Sequence, residues 1–171
     1  MGSPADRQRR ESGAAARAPV ERRHPPEALM RLVNPVMRRL VGRGRAADQV
    51  LVLHYTGRRT GKRYDVPAGY HLIAGVVTVL TSSAWRHNFR GGRDIEVTYR
   101  GVRRRAHAVL EDEPIAVAST LSDLIAEFGV QPAQRRLGIK INVDRAPTLE
   151  EVTDAVRRSG LSMVRVRLTD S

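Results

Sequence analysis

Between residues 49 and 110 the chain is a succession of strand-like runs separated by short glycine-containing turns, and few folds accommodate that pattern. Gln49 to Thr56 is apolar on both faces through Val50, Leu51, Val52 and Leu53, as in a strand buried on both sides. Tyr64 to Ile73 and Val76 to Thr81 read as further strands, joined by a turn at Ala74-Gly75. Ile95, Val97 and Tyr99 alternate with Glu96, Thr98 and Arg100, the signature of a half-buried strand. Gly101 turns the chain into a run from Val102 to Leu110, in which Arg103, Arg105 and His107 share one face. An antiparallel meander is the expected arrangement of the middle of the chain.

Helical periodicity takes over at both ends. Leu29, Leu32, Val33, Val36, Met37 and Leu40 follow one helical face, with Arg31, Arg38 and Arg39 on the other and Pro35 interrupting. Two readings fit that segment: a helix capping the core, or a basic amphipathic stretch resting on an anionic membrane surface. Pro114 opens a helix with Ile115, Ala118, Leu121, Ile125 and Phe128 on one side, and Gly129 closes it. A shorter helical turn is expected over 132–138. Thr148 and Glu151 form a capping box ahead of Leu149, Val152, Ala155 and Val156, with Gly160 as the stop. Leu161 to Leu168 alternates apolar residues with arginine and reads as a closing strand. About six strands with helices at the margins describe a mainly β, α+β domain over 27–171, a small closed or split β-barrel. Residues 1–26, rich in Arg, Ala and Pro, read as a disordered tail.

Composition narrows the chemistry. The 171 residues suit one domain with one core. There is no cysteine, which excludes disulfides, thiolate metal sites and thiol catalysis. Basic residues outnumber acidic ones 30 to 18, giving a formal charge of +12 and attraction to polyanions. Only 4 % of residues are aromatic, and neither a stacking platform for bases nor a recognition helix is legible, so nucleic acid is not the expected partner. No apolar run reaches the length of a membrane span, and cytoplasm is the expected location.

Two segments stand out as candidates for chemistry. Gly57-Arg58-Arg59-Thr60-Gly61-Lys62-Arg63-Tyr64 is a glycine-bracketed basic loop between strands. Its glycines allow backbone N–H groups to turn toward a ligand, and its cations supply charge-assisted bonds to oxyanions. The spacing is not that of a nucleotide-hydrolysing loop, and a solvated hairpin turn has the same composition. Ala84-Trp85-Arg86-His87-Asn88-Phe89-Arg90-Gly91-Gly92 places the single tryptophan beside an asparagine and two glycines. Trp85 serves either as a flat ligand surface or as a plug of the barrel end, and Asn88 either contacts a ligand or caps the loop backbone. Thr81, Ser82 and Ser83 end the preceding strand and offer hydroxyls. His24, His54, His71, His87 and His107 lack metal-ligand spacing, and Asp65 and Asp94 stand as isolated carboxylates. A chain with so little chemistry of its own is suited to a cofactor that carries the reaction.

Residues 57–70, with Pro67 and Gly69-Tyr70 after the basic loop, followed by Trp85-x-x-Asn88 and Arg90-Gly91-Gly92, resemble the deazaflavin-dependent nitroreductase family, also described as nitroreductase/quinone reductase proteins. The likeness covers about residues 30 to 110. It implies a split β-barrel related to FMN-binding flavin reductases, holding coenzyme F420, an 8-hydroxy-5-deazaflavin; FMN is the less expected cofactor. Arg58, Arg59 and Lys62 would contact its phosphate and anionic tail. Thr60, Gly61, Pro67, Thr81, Ser82, Trp85 and Asn88 complete the implied cofactor site, with Ser82 and Ser83 as weak catalytic candidates. The sequence departs from the family at Tyr64, where many members have arginine, and at Ser83-Ala84, which leads straight into Trp85 without an insert.

The implied activity is hydride transfer from reduced deazaflavin to a quinone, a nitroaromatic or an activated alkene, with the protein holding the reacting carbons about 3–3.5 Å apart and excluding water. The alternative is a non-catalytic split-barrel binder of deazaflavin, FMN, haem or fatty acid. The expected partners are a small-molecule hydride acceptor and no metal, in a monomer or homodimer, with peripheral contact to the inner membrane face as the location most compatible with a quinone.

Overall fold

A computed structural model describes residues 18–22 and 50–169. The expected helix over 29–40 and most of the N-terminal tail lie outside the described residues. The elements are β1 (Val20–Arg22), β2 (Val50–Thr56), β3 (Arg63–Gly69), β4 (His71–Ile73), β5 (Val76–Thr81), a 3-10 turn (Ala84–Phe89), β6 (Arg93–Tyr99), β7 (Val102–Glu111), α1 (Pro114–Phe128), α2 (Val130–Leu137), β8 (Ile139–Ile141), α3 (Leu149–Ser159) and β9 (Ser162–Leu168).

Seven of these strands form one antiparallel sheet in the order β3-β2-β6-β7-β9-β5-β4. The three hairpins expected from sequence are present, β2–β3, β4–β5 and β6–β7. The β4–β5 turn places both Ala74 and Gly75 at positive φ, and the β6–β7 turn does the same with Arg100 and Gly101. Such two-residue turns match the twist of the flanking strands. The arrangement is more than a meander, because β9 arrives from the far end of the chain to lie between β7 and β5.

One run changes meaning in the structure. Tyr64 to Ile73 is not a single strand: β3 and β4 are opposite edges of the sheet, joined by Tyr70 alone. Two residue steps span at most about 7 Å, so the edges must meet at this point and the sheet curls round on itself. Buried Tyr70, packed on Tyr99 at 5.3 Å between ring centroids, forms the corner. β4 pairs with β5 only from Val76 to Thr78, so Val79, Leu80 and Thr81 extend past it without a ladder partner on that side. β3 likewise pairs only with β2, and β3 and β5 approach each other across this seam.

Alternation sorts the residues into two cores. Leu51, Leu53, Val77, Val79, Val97, Ala106, Ala108, Val164 and Val166 point inside the curled sheet and pack around Phe89. On the outer side of β5 and β9, Met163 joins the inward faces of the helices. The helices sit as expected, but their faces are rotated. α1 buries Val117, Ala118, Leu121, Leu124 and Ile125 while Ile115 is exposed, and α3 buries Val152 and Val156 while Leu149 is exposed. Both exposed residues lie in first turns, where the chain is still entering the helix and side chains project past the core. The capping box is present: Thr148 accepts from the Glu151 N–H, and Glu151 accepts from the Thr148 N–H at 2.8 Å.

The segment read as tail contributes a strand after all. Val20 is buried, and β1 pairs antiparallel with β8, itself unanticipated. Asn142 holds the junction, its backbone N–H donating to Pro19 O and its side chain to Ala18 O, each at 2.7 Å. Strands of this length carry too little periodicity to be recognised from sequence.

Candidate functional site

The basic loop is the connection of the β2–β3 hairpin. Gly57 N–H donates to Lys62 O at 2.8 Å and Gly61 N–H donates to Gly57 O at 2.9 Å, which closes the turn on itself. Lys62 N–H donates to Thr60 Oγ1 at 3.3 Å. The amides of the two glycines are therefore spent on closing the turn. What the loop does offer outward is side chains: Arg58, Arg59, Lys62 and Arg63 are all exposed. Among the described residues, Arg59, Lys62 and Arg63 form no ion pair.

Gly57 is needed for space. A Cβ there would lie 2.7 Å from Thr60 Oγ1 and 2.7 Å from Tyr64 Cε2. The Tyr64 ring thus rests against the loop, with its hydroxyl 3.0 Å from Thr60 Oγ1. Across the hairpin Tyr64 is opposite Tyr55, and the rings stack at 5.6 Å with 24° between planes. Burial pushes the Tyr55 phenol up to about 12, with nearby Tyr64 adding to the shift and Arg93 opposing it. Tyr55 is accordingly a neutral group.

The tryptophan segment follows β5 and forms the 3-10 turn at the same end of the curled sheet. Phe89 is fully buried and is the plug that Trp85 was a candidate to be. Trp85 meets Phe89 edge to face at 5.9 Å, and Phe89 meets Tyr55 edge to face at 5.1 Å. Trp85, Phe89, Tyr55 and Tyr64 thus make a continuous aromatic row from the 3-10 turn to the basic loop.

Asn88 joins the two segments directly. Its Oδ1 accepts from the Arg58 backbone N–H at 2.9 Å, and its Nδ2 donates to Trp85 O at 2.8 Å. This is the loop-capping arrangement considered from sequence. Arg58 adds a longer bond from Nη2 to Gly92 O at 3.4 Å, and Arg93 Nη1 donates to Thr56 O at 2.8 Å.

The strand end at Thr81 is less open than its composition suggested. Thr81 is buried, and its Oγ1 accepts from the Ser83 N–H at 3.1 Å. Ser82 is partly exposed and Ser83 exposed. Arg86 Nη1 donates to Ser82 O and, at 3.0 Å, to Ser83 O, fixing the backbone course between β5 and the turn. Pro67 is separated from the rest: it lies opposite Val52 on the face of β3 that carries Arg63 and Asp65, turned away from Tyr64.

That other face holds a second network which sequence reading missed. Asp65 and Asp94, read as isolated, each bind a histidine. His54 Nδ1 lies 2.7 Å from Asp65 Oδ1 with His54 Nε2 2.8 Å from Thr98 Oγ1, and His107 Nδ1 lies 2.7 Å from Asp94 Oδ1. Arg103 binds Glu96 beside them and holds that carboxyl below the usual range. Strand pairing is the signal that would have exposed these contacts, since His54 is directly opposite Asp65 and His107 directly opposite Asp94. Among the described residues, no group of three or more His, Cys, Asp or Glu side chains could hold a metal, and no helix is long and apolar enough to cross a membrane.

No protein-family model and no curated protein matches the chain. Among solved structures, the conserved hypothetical protein Rv2991 from Mycobacterium tuberculosis matches at 14 % identity with a TM-score of 0.42, over 88 % of this chain and 84 % of that one.

Proposed function

We propose that this chain is a deazaflavin-dependent oxidoreductase: a split β-barrel of the flavin reductase kind that holds coenzyme F420 and directs its hydride to a quinone, a nitroaromatic or an activated alkene. The observation that carries the reading is the bond from Asn88 to the Arg58 backbone, which ties the basic loop to the tryptophan turn at one end of the barrel. Residues far apart in sequence thereby present cations and aromatic rings together, as a planar phosphorylated ligand requires.

The residues present fit that group. Arg59, Lys62 and Arg63 form no ion pair among the described residues and would hold the phosphate and anionic tail. The seam between β3 and the end of β5, where no ladder forms among the described residues, would receive the ring. When bound, the reduced deazaflavin supplies a hydride from C5 and does not readily do one-electron work. The protein's part is to orient and to exclude water. The hydroxyl of Ser82 or Ser83 would stabilise charge developing on the acceptor.

The test is a titration with F420, FMN and haem followed by the fluorescence of Trp85, the one tryptophan in the chain. Saturable quenching by F420, weakened in Arg59→Ala and Lys62→Ala, and turnover of a quinone with reduced F420 are the expected results. A response to haem or FMN alone would move the function to a non-catalytic barrel binder.

A further inference from the structure

We infer that Tyr64, noted in the sequence only as the end of the basic loop and a departure from the resembled family, is the stacking platform for the ligand's ring, and that the ring lies with one face on Tyr64 and the other open to the acceptor. Among the described residues Tyr64 is the one aromatic side chain counted as exposed, at 37 % of its full accessibility. Every other aromatic in the row behind it is covered to a greater degree.

The platform is rigid before any ligand arrives. Tyr55 stacks behind it, Gly57 admits its edge into the loop, and Thr60 holds its hydroxyl. Thr60 Oγ1 also accepts from Lys62 N–H, so the hydroxyl that fixes the ring belongs to the loop that carries the cations. Ring and cations are therefore positioned as one unit, which lowers the ordering cost of binding a molecule that needs both. Tyr64 stands on edge strand β3, on the face shared with Val66 and Ala68, next to the seam where, among the described residues, neither β3 nor the end of β5 has a further ladder partner. A flat ligand can enter there without breaking a strand pair.

The ligand class follows from these groups: a planar heteroaromatic ring bearing a phosphate. A deazaflavin is one such molecule and a flavin mononucleotide is another, so the identity of F420 rests on the proposed function, whereas the role of Tyr64 does not. A cation–π partner is not the expected occupant, because the loop beside the ring is itself cationic and would repel it.

The experiment uses the full chain with its tyrosines replaced by 3-fluorotyrosine, of which there are four positions, Tyr55, Tyr64, Tyr70 and Tyr99. The Tyr64 fluorine resonance is assigned by its loss in Tyr64→Phe. F420 and FMN are titrated separately, with riboflavin as a ring that lacks phosphate. The expected result is a ring-current displacement of the Tyr64 resonance that saturates with the Trp85 quenching. Tyr64→Leu should weaken binding by about tenfold, as loss of one aromatic stack does, and Tyr64→Phe by no more than about twofold, since it keeps the ring face. Saturable binding of F420 or FMN that leaves the Tyr64 resonance in place, or equal affinity in Tyr64→Leu, overturns the inference. Binding of FMN on Tyr64 with none of F420 upholds it while removing the proposed function; binding of F420 indifferent to Tyr64 does the reverse. The absence of any phosphorylated ring from the site ends both.

Discussion

Replacing Asn88 by alanine removes one side chain and releases two loops. Its amide supplies an acceptor to Arg58 N–H at 2.9 Å and a donor to Trp85 O at 2.8 Å. Each such bond contributes a net of about 0.5–1.5 kcal/mol. The Arg58 contact is exposed, so water replaces it on mutation, while the Trp85 contact is part-buried. The lower half of the range suits the first bond and the upper half the second, for a total of about 1.5–2.5 kcal/mol. In a chain of 171 residues that corresponds to a fall in melting temperature of roughly 3–10 °C. Asn88→Asp separates the contributions. It keeps an acceptor for Arg58 N–H, now charge-assisted, but sets a carboxylate oxygen against Trp85 O, so the basic loop should stay closed while the tryptophan turn loosens. Hydrogen exchange reads each loop separately: the Arg58 amide should exchange about tenfold faster in Asn88→Ala and near the native rate in Asn88→Asp. A melting temperature within about 1 °C of native in Asn88→Ala, with Arg58 exchange unchanged, would refute the claim that this side chain joins the loops.

Gly57→Ala tests the seating of Tyr64. The added Cβ would lie 2.7 Å from both Thr60 Oγ1 and Tyr64 Cε2, so overpacking of about 1–3 kcal/mol and displacement of the Tyr64 ring are expected; full stability with the native Tyr64 environment would contradict the geometry. The Arg145–Glu151 pair tests the α3 cap by pH. Its hydrogen bonds with Arg145, and next with the Thr148 backbone, lower the Glu151 carboxyl to about 2, below the ordinary value of 4.5. A depressed carboxyl stabilises the fold above its unfolded pKa and loses that contribution as pH falls through the folded one. The stability difference between the native chain and Glu151→Gln should therefore shrink between about pH 4.5 and 2. A difference that is constant across that window in thermal melts would show the carboxylate is not paired in solution.

The parts of the fold that were legible are those in which local signals agree. At Thr148 the capping residue, its glutamate partner and the following periodicity all point to one helix start, and the helix is there. At Ala74-Gly75 and Arg100-Gly101 a positive-φ turn sits between alternating runs, and both hairpins form. What failed depends on distant partners. The break at Tyr70 has no local signature, because β3 and β4 differ in which strand each pairs with and not in composition. β1 and β8 are too short to show a period and are held by contacts between residues about 120 positions apart. The candidate site divides in the same way. The two motifs could be seen and their approach could not, since it rests on side chains reaching across 30 and 34 residues. Tyr64 could be seen only as a departure from the resembled family, because its stacking on Tyr55 depends on register, which becomes visible only when the hairpin is counted outward from the glycines.

The seam explains why the candidate groups gather where they do. A sheet that curls until its edges meet must either zip them into a closed ladder or leave a slit, and here β4 is too short to close it, covering β5 only as far as Thr78. The remaining edge residues of β3 and β5 cannot stay bare without a hydrogen-bonding or apolar neighbour. At the lower end Tyr70 supplies one by bridging the edges. At the upper end the flanking connections do so: the β2–β3 loop from one side and the turn after β5 from the other, clipped together by Asn88. The two segments with unusual composition are therefore the two connections that border the seam where, among the described residues, β3 and the end of β5 form no ladder. Under the proposed function this seam would take a flat occupant, and the exposed arginines and lysine of the neighbouring loop would favour an anionic one. Lengthening β4 so that it pairs with β5 through Thr81 would seal the slit; such a variant should be at least as stable as the native chain and bind no planar phosphorylated ring.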